Sequence, residues 1–208
     1  DGLVTGVTRK SAHVLELISH VYDVGPHDGA VGVTAILSKG KIILIADTLV
    51  HEWPNENDLA DIAERGASVA RALGLEPRVA FVSFSTFGYP VSERAEKMHL
   101  APNVLDERGV DFEFEGEMAA DVALNREAMK LYPFCRLKEP ANVLVMPAIH
   151  SASISTKMME ELGGATLIGP ILVGLEHSVQ IARIGATATE LLNMAAIASF
   201  GMGMVGKK

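Results

Sequence analysis

The residues best suited to chemistry gather in three short segments. Ser83-Phe84-Ser85-Thr86-Phe87-Gly88 offers three hydroxyls and a glycine whose backbone can come close to a bound group. His150-Ser151-Ala152-Ser153 stands where a helix begins, and the N–H groups of a helix N-terminus hold anions. Gly169-Pro170, followed by Gly174, is the third. Together these segments suit a phosphate-bearing ligand. The same residue types also cap helices and shape turns, and the sequence leaves that reading open beside the first.

Familiar catalytic signatures are missing. There is no G-x-x-x-x-G-K-[ST] segment, and no G-x-G-x-x-G follows a strand; Gly201-Met202-Gly203 falls at a helix end instead. The seven histidines lack H-x-H or H-E-x-x-H spacing, so no metal site is expected. Cys135, between Phe134 and Arg136, reads as a buried, inert thiol. Asp47 and Asp121 are possible general bases, or else helix caps and solvated carboxylates.

Strand and helix patterns alternate along the chain, which points to an α/β fold with a mixed, mostly parallel sheet flanked by helices. Val7 to Val21 reads as an amphipathic helix with Val14, Leu17, Ile18 and Val21 on one face. Ala30–Leu37 and Lys41–Ala46 read as an antiparallel hairpin turning at Ser38-Lys39-Gly40. Asn55 or Asn57 caps a helix through Leu73, and Gly74 stops it. Further strands are expected at Arg78–Ser83, Phe112–Phe114, Asn142–Met146, Ala165–Ile168 and Val179–Ala182. Helices are expected at Ser92 to about Arg108, broken or kinked by Pro102, and at Asp121–Leu131, Ser151–Leu162 and Ala186 to about Ala198. In such sheets ligands bind beyond the carboxyl ends of the strands, where the three polar segments fall.

A chain of 208 residues without linkers or repeats reads as one domain. With 18 Lys+Arg against 26 Asp+Glu, the formal charge of −8 argues against nucleic-acid binding, which needs a basic surface. One cysteine fits a reducing cytoplasm. The chain is 49% apolar, yet Leu191–Gly206 and Leu162–Leu175 fall short of the roughly 20 apolar residues a membrane span requires. Because the chain opens on Asp1 and is so apolar, we expect a piece of a longer protein. The C-terminal helix, 186–200, is then expected to pack on a missing N-terminal part or a partner subunit.

Five segments, in order and spacing, resemble the phosphate acetyltransferase (acetyl/butyryl) family. They are Ser83-Phe84-Ser85-Thr86-x-Gly88, Asp111 to Glu117, Ala141-Asn142-Val143-Leu144-Val145-Met146-Pro147, Ile168-Gly169-Pro170-Ile171-Leu172-x-Gly174-Leu175 and Asn193-x-Ala195-Ala196. The resemblance implies a phosphotransacetylase-like fold and transfer of an acetyl group between phosphate and coenzyme A. It also implies an acetyl-CoA site at Ser83, Ser85, Thr86, Gly88, Ser151, Gly169, Pro170 and Arg183. Active members carry a Ser-Arg-Gly triplet before the last helix, an Asp inside that helix and an Arg in the helix early in this segment. Here those positions fall on Arg183-Ile184-Gly185, Glu190 and Ala12, which leaves Glu190 as the one catalytic candidate. An isoleucine offers no donor to developing charge.

That pattern resembles the transferase-like domain fused to the C-terminus of bacterial NADP-dependent malic enzymes. This likeness implies a catalytically silent, regulatory acetyl-CoA-binding module in a homo-oligomer, with NADP and a divalent metal held only by a separate catalytic domain. An active phosphate acetyl- or butyryltransferase is the alternative.

Overall fold

The computed structural model describes residues 2–21 and 29–201. The first described elements are strand β1 (Gly2–Gly6) and helix α1 (Ser11–Val21), followed by the hairpin of β2 (Val31–Ser38) and β3 (Lys41–Ala46). Its turn is only two residues, Lys39 and Gly40, both left-handed at φ 51° and 73°, as a tight hairpin demands. From β3 the chain runs through α2 (Glu56–Ala72) to β4 (Arg78–Val82), then through α3 (Glu93–Arg108) to β5 (Glu113–Met118). Short helices α4 (Ala120–Leu124) and α5 (Arg126–Met129) bring it back to β6 (Val143–Val145), and α6 (Ile149–Glu161) leads to β7 (Thr166–Val173).

These strands form a six-stranded sheet in the order β5-β4-β6-β3-β2-β7, in which only β2 runs against the others. Successive side chains point to opposite faces. Val79, Phe81, Val143 and Val145 lie under α2 and α3, among Leu59, Ile62, Met98 and Leu105. Ala80, Val82 and Leu144 face the other way, onto Val122, Met129 and Ala152 of α4, α5 and α6. The strands therefore read as unbroken apolar runs because both faces are covered.

This winding positions the site. The helix that follows β4 packs on one face, and the helix that follows β6, its neighbour, packs on the other. Adjacent strands whose connections leave to opposite faces part at their carboxyl ends and open a crevice. Gly66 lets α2 sit close on β6, since a Cβ there would come 2.7 Å from Val143 Cγ1.

A second, two-stranded parallel sheet pairs β1 with β8 (Ser178–Ala182). The fully buried Gln180 ties it to the main sheet, donating to the carbonyl of Leu172 (3.0 Å) and accepting from its N–H (2.9 Å). Helix α7 (Ala188–Phe200) buries Met194, Ile197 and Ala198 within this chain and receives a bond from Ser178 Oγ to Ala198 O (2.8 Å). Its opposite side leaves Leu192 and Phe200 exposed. Residues 202–206 of the apolar Leu191–Gly206 stretch lie outside the described residues, Met202 and Gly203 among them.

Several expectations need correction. β1 precedes the first helix, held by a partner strand far away in sequence. The first helix begins at Ser11, and it buries Val14 and Ile18 but exposes Leu17 and Val21. α3 continues through Pro102. The lost hydrogen bond and ring clash cost about 3 kcal/mol, and full burial of Met98, Ala101 and Leu105 offsets that. Residues 121–131 divide into two short helices, with Asn125 capping the second through Glu127 N (2.9 Å). Asn55, rather than Asn57, caps α2 in a reciprocal box with Asp58. β7 runs on past Ile168 because Gly169 and Pro170 together stand opposite Thr34 as a bulge, so the pairing with β2 resumes at Ile171.

Candidate functional site

A crevice of about 1200 Å³ opens at the carboxyl ends of β4 and β6. Ser83 and Phe84, just after β4, form one wall, and Met146, Pro147, Ala148 and Ser151, between β6 and α6, form the facing one. Glu96, Lys97 and Leu100 of α3 and Trp53 and Glu56 before and within α2 complete it. Trp53 and Phe84 stand largely exposed, at 80% and 66%.

Lys97 is the ammonium of this lining. Its Nζ donates to Pro54 O at 2.9 Å and lies 6.0 Å from the Trp53 ring centroid. Burial pulls its pKa below the ordinary value, against the pull of Asp58. The N-terminus of α6 has no side-chain cap, and Ser151 Oγ turns back to Ala148 O (2.8 Å). Electropositive backbone therefore faces the crevice from that end.

Buried polar residues hold the crevice walls. Asp47, at the end of β3, accepts backbone N–H bonds from Gly32 and Leu49 on Oδ1 (2.9 and 2.8 Å), from Val50 on both oxygens (3.2 and 3.1 Å) and from His51 on Oδ2 (2.8 Å). His51 Nδ1 lies 2.7 Å from Asp47 Oδ2, and His51 O accepts the N–H of Ile149 at the start of α6. Burial alone would lower the His51 pKa. The bond and charge of Asp47, with Asp58 and Asp61 farther off, outweigh that and raise it. Asp47 is thus neither the base nor the solvated carboxylate that the sequence allowed, but an organiser of the β3–α2 turn.

The sequence-derived candidates part company here. Ser83 and Ser151 line the crevice. Ser85, Thr86 and Gly88 do not: their polar groups bond to the end of β5, and Ser85 and Gly88 line a neighbouring cavity of about 370 Å³ with Glu96, His99 and Glu117. Ser85 Oγ and Gly88 N donate to Glu117 Oε1, each at 2.8 Å, and Thr86 Oγ1 accepts from Ala119 N at 3.0 Å. Turn chemistry explains their types. Gly169 lies elsewhere, with Arg183, Glu190 and Asn193, around a cavity of about 20 Å³ that has room for little more than one water. Pro170 serves the bulge.

Arg183 does not join the Ser83 loop. It pairs with Glu190 (2.6 Å) and Glu160 (3.4 Å), half exposed. Glu160 is nine residues along α6 from Ser151, roughly 14 Å at the helical rise, so the ion pair sits at the end of α6 away from the crevice. The Glu190 carboxylate is taken first by the α7 cap, accepting from Thr187 N (2.6 Å) and Oγ1 (2.8 Å), and these bonds with Arg183 lower its pKa. Ile184 is exposed at 58%.

Asp121 accepts from Val122 N at the start of α4 (3.0 Å) and is exposed. Burial pushes the Cys135 thiol up, with Glu115 adding to it, as an inert thiol requires. Among the described residues, no group of three His, Cys, Asp or Glu is arranged to hold a metal, and no helix is long and apolar enough to cross a membrane. Sequence reasoning missed Trp53, Lys97 and Leu100. The lone tryptophan in a loop was the available signal for the first.

Residues 1–199 match the family model described as phosphate acetyl/butaryl transferase. The chain belongs to this family. Among phosphotransacetylase structures, that from Streptococcus pyogenes superimposes with a TM-score of 0.89 at 26% identity, over 96% of this chain and 62% of that one. The EutD phosphotransacetylase from Staphylococcus aureus gives 0.84 at 26%, with the same coverage. An NADP-dependent malic enzyme of Rhizobium meliloti is 55% identical over 98% of this chain, and the phosphate acetyltransferase of Bacillus subtilis is 31% identical over 95%. This chain spans 27% of the length of the malic enzyme and 62% of that of the acetyltransferase. The chain thus has the transferase family's fold, and of these relatives the malic enzyme is the more similar in sequence.

Proposed function

We propose that this transferase-family chain is a catalytically silent, acyl-CoA-binding module that regulates an NADP-dependent malic enzyme. The observation that carries the proposal is the fate of the reactive triplet. Where the resemblance calls for Ser-Arg-Gly, Arg183 is held between two glutamates and Ile184 offers only hydrocarbon, while the crevice between β4 and β6 stays open.

The crevice suits such a ligand in size and chemistry. At about 1200 Å³ it exceeds the roughly 300–1,000 Å³ of ordinary small-molecule sites, as an extended nucleotide thioester needs. Trp53 and Phe84 present aromatic faces to a base, and Lys97 and the start of α6 receive phosphate. Glu56 and Glu96 repel phosphate, so its seat is on the α6 side. The module works in the cytoplasm, a reading that likeness to bacterial enzymes supports, and within a homo-oligomer, with NADP and the divalent metal in the rest of the protein.

Malate oxidation by the intact protein, measured with and without acetyl-CoA, tests this. Acetyl-CoA changes the rate of the wild type and not of Leu100→Glu, which sets a carboxylate in the crevice. A rate indifferent to acetyl-CoA contradicts the proposal. Interconversion of acetyl phosphate and acetyl-CoA would favour the active transferase instead.

A further inference from the structure

The segment that the crevice does not explain is Glu117 and what converges on it. Glu117, next to last in β5, is almost fully buried, at 1% exposure. A carboxylate in that place is costly unless donors surround it. Three do. Oε1 accepts from Ser85 Oγ and Gly88 N, both at 2.8 Å, and Oε2 accepts from His99 Nδ1 at 2.9 Å.

The donors come from two different elements. Ser85 and Gly88 belong to the loop after β4 whose first residues, Ser83 and Phe84, form one crevice wall. His99 belongs to α3, which supplies Glu96, Lys97 and Leu100 to the same crevice. Around the carboxylate the loop is further stitched to this segment by Ser83 N to Met118 O (3.0 Å), Phe87 N to Glu117 O (2.8 Å) and Ala119 N to Thr86 Oγ1 (3.0 Å).

We propose that Glu117 is the positioning residue of the crevice: its carboxylate fastens the Ser83–Gly88 loop to α3 and so sets the spacing of these two sides of the crevice in which the acyl-CoA lies. The inference rests on the acyl-CoA reading above. It accounts for the charge, since one carboxylate accepts from both sides at once, which no hydrocarbon can do. Burial pushes the pKa of Glu117 up, but the bonds from Gly88, Ser85 and His99 outweigh it and hold the group ionised.

Two mild variants divide the junction. His99 is half exposed, so His99→Ala removes only the α3 side. Glu117→Gln keeps an oxygen for Ser85 and Gly88 and leaves His99 a weaker, neutral amide partner in place of the carboxylate. Acetyl-CoA titrated into each intact, folded protein binds between about threefold and about tenfold more weakly, and the double variant is no worse than His99→Ala alone, because both changes act on the same contact. Wild-type affinity in both single variants, or losses that add, overturns the proposal. If the wild type itself takes no acetyl-CoA, the functional reading fails, and amide exchange of residues 83–89 decides the positioning. Faster exchange in both variants upholds it, and unchanged exchange overturns it.

Discussion

Arg183 and Glu190 meet across 2.6 Å, and each is committed to the other and to a structural partner, Glu160 for the arginine and Thr187 for the glutamate. Both stood among the residues that the family likeness offered for acyl transfer. Their pairing at the far end of α6 from Ser151 removes them from the crevice.

The first prediction follows directly. Arg183→Ala leaves acetyl-CoA affinity unchanged, because the pair is remote from Ser83, Lys97 and Ser151. It is half exposed, and such pairs contribute at most about 1 kcal/mol, so urea denaturation shows a loss no larger than that. A marked loss of binding would return Arg183 to the site.

Glu190 makes an acid-side prediction. Its pKa is lowered, chiefly by the Thr187 backbone bond, then by Thr187 Oγ1 and Arg183. The associated stability is fully present above the unfolded value of about 4.3, and is lost as pH falls through the lower folded value. Urea midpoints followed from pH 6 to pH 3 fall less steeply for Glu190→Gln than for the wild type. Thr187→Ala, which breaks the capping box, costs about 1 kcal/mol at neutral pH.

His51 makes the opposite one. Burial lowers its pKa, but Asp47 at 2.7 Å raises it more, for a net rise. The stability this contributes is fully present below about 6.5 and lost as pH rises through the higher folded value. His51→Gln removes that part of the slope, which denaturation between pH 6 and pH 9 measures. Asp47→Ala is far more severe. It strands the N–H groups of Gly32, Leu49, Val50 and His51, at about 1–3 kcal/mol each, and the folded population collapses.

Gly66 tests the packing of α2 on β6. Alanine improves helix propensity by about 1 kcal/mol, yet its Cβ would meet Val143 at 2.7 Å in a fully buried layer, where overpacking costs about 1–3 kcal/mol. Gly66→Ala is therefore neutral to destabilising by calorimetry, whereas at an unpacked helical glycine the same change stabilises.

Much of this was legible in the sequence, and the limits have physical causes. Short-range signals carried well: the β2–β3 hairpin, the strands after Pro77 and Asn142, and the helices after Asn55 and before Gly201 all depend on nearby residues. What depends on distant partners did not. β1 exists because β8 pairs with it, α3 survives Pro102 because Met98 and Leu105 are buried, and β7 passes Gly169-Pro170 because β2 holds it across a bulge. The same division runs through the site. Small polar loops marked the right end of the sheet, but Ser, Thr and Gly look alike whether they face a ligand or a neighbouring turn. Only Glu117, 32 residues from Ser85, decides that Ser85 and Gly88 bond to β5 beside a neighbouring cavity while Ser83 lines the crevice.

The most direct test of the account is a calorimetric titration of acetyl-CoA into the intact protein and its Leu100→Glu variant. Saturable binding by the wild type, weakened at least about tenfold by the added carboxylate, is the expected result. Absence of binding by the wild type, or equal affinity in the two proteins, would contradict it.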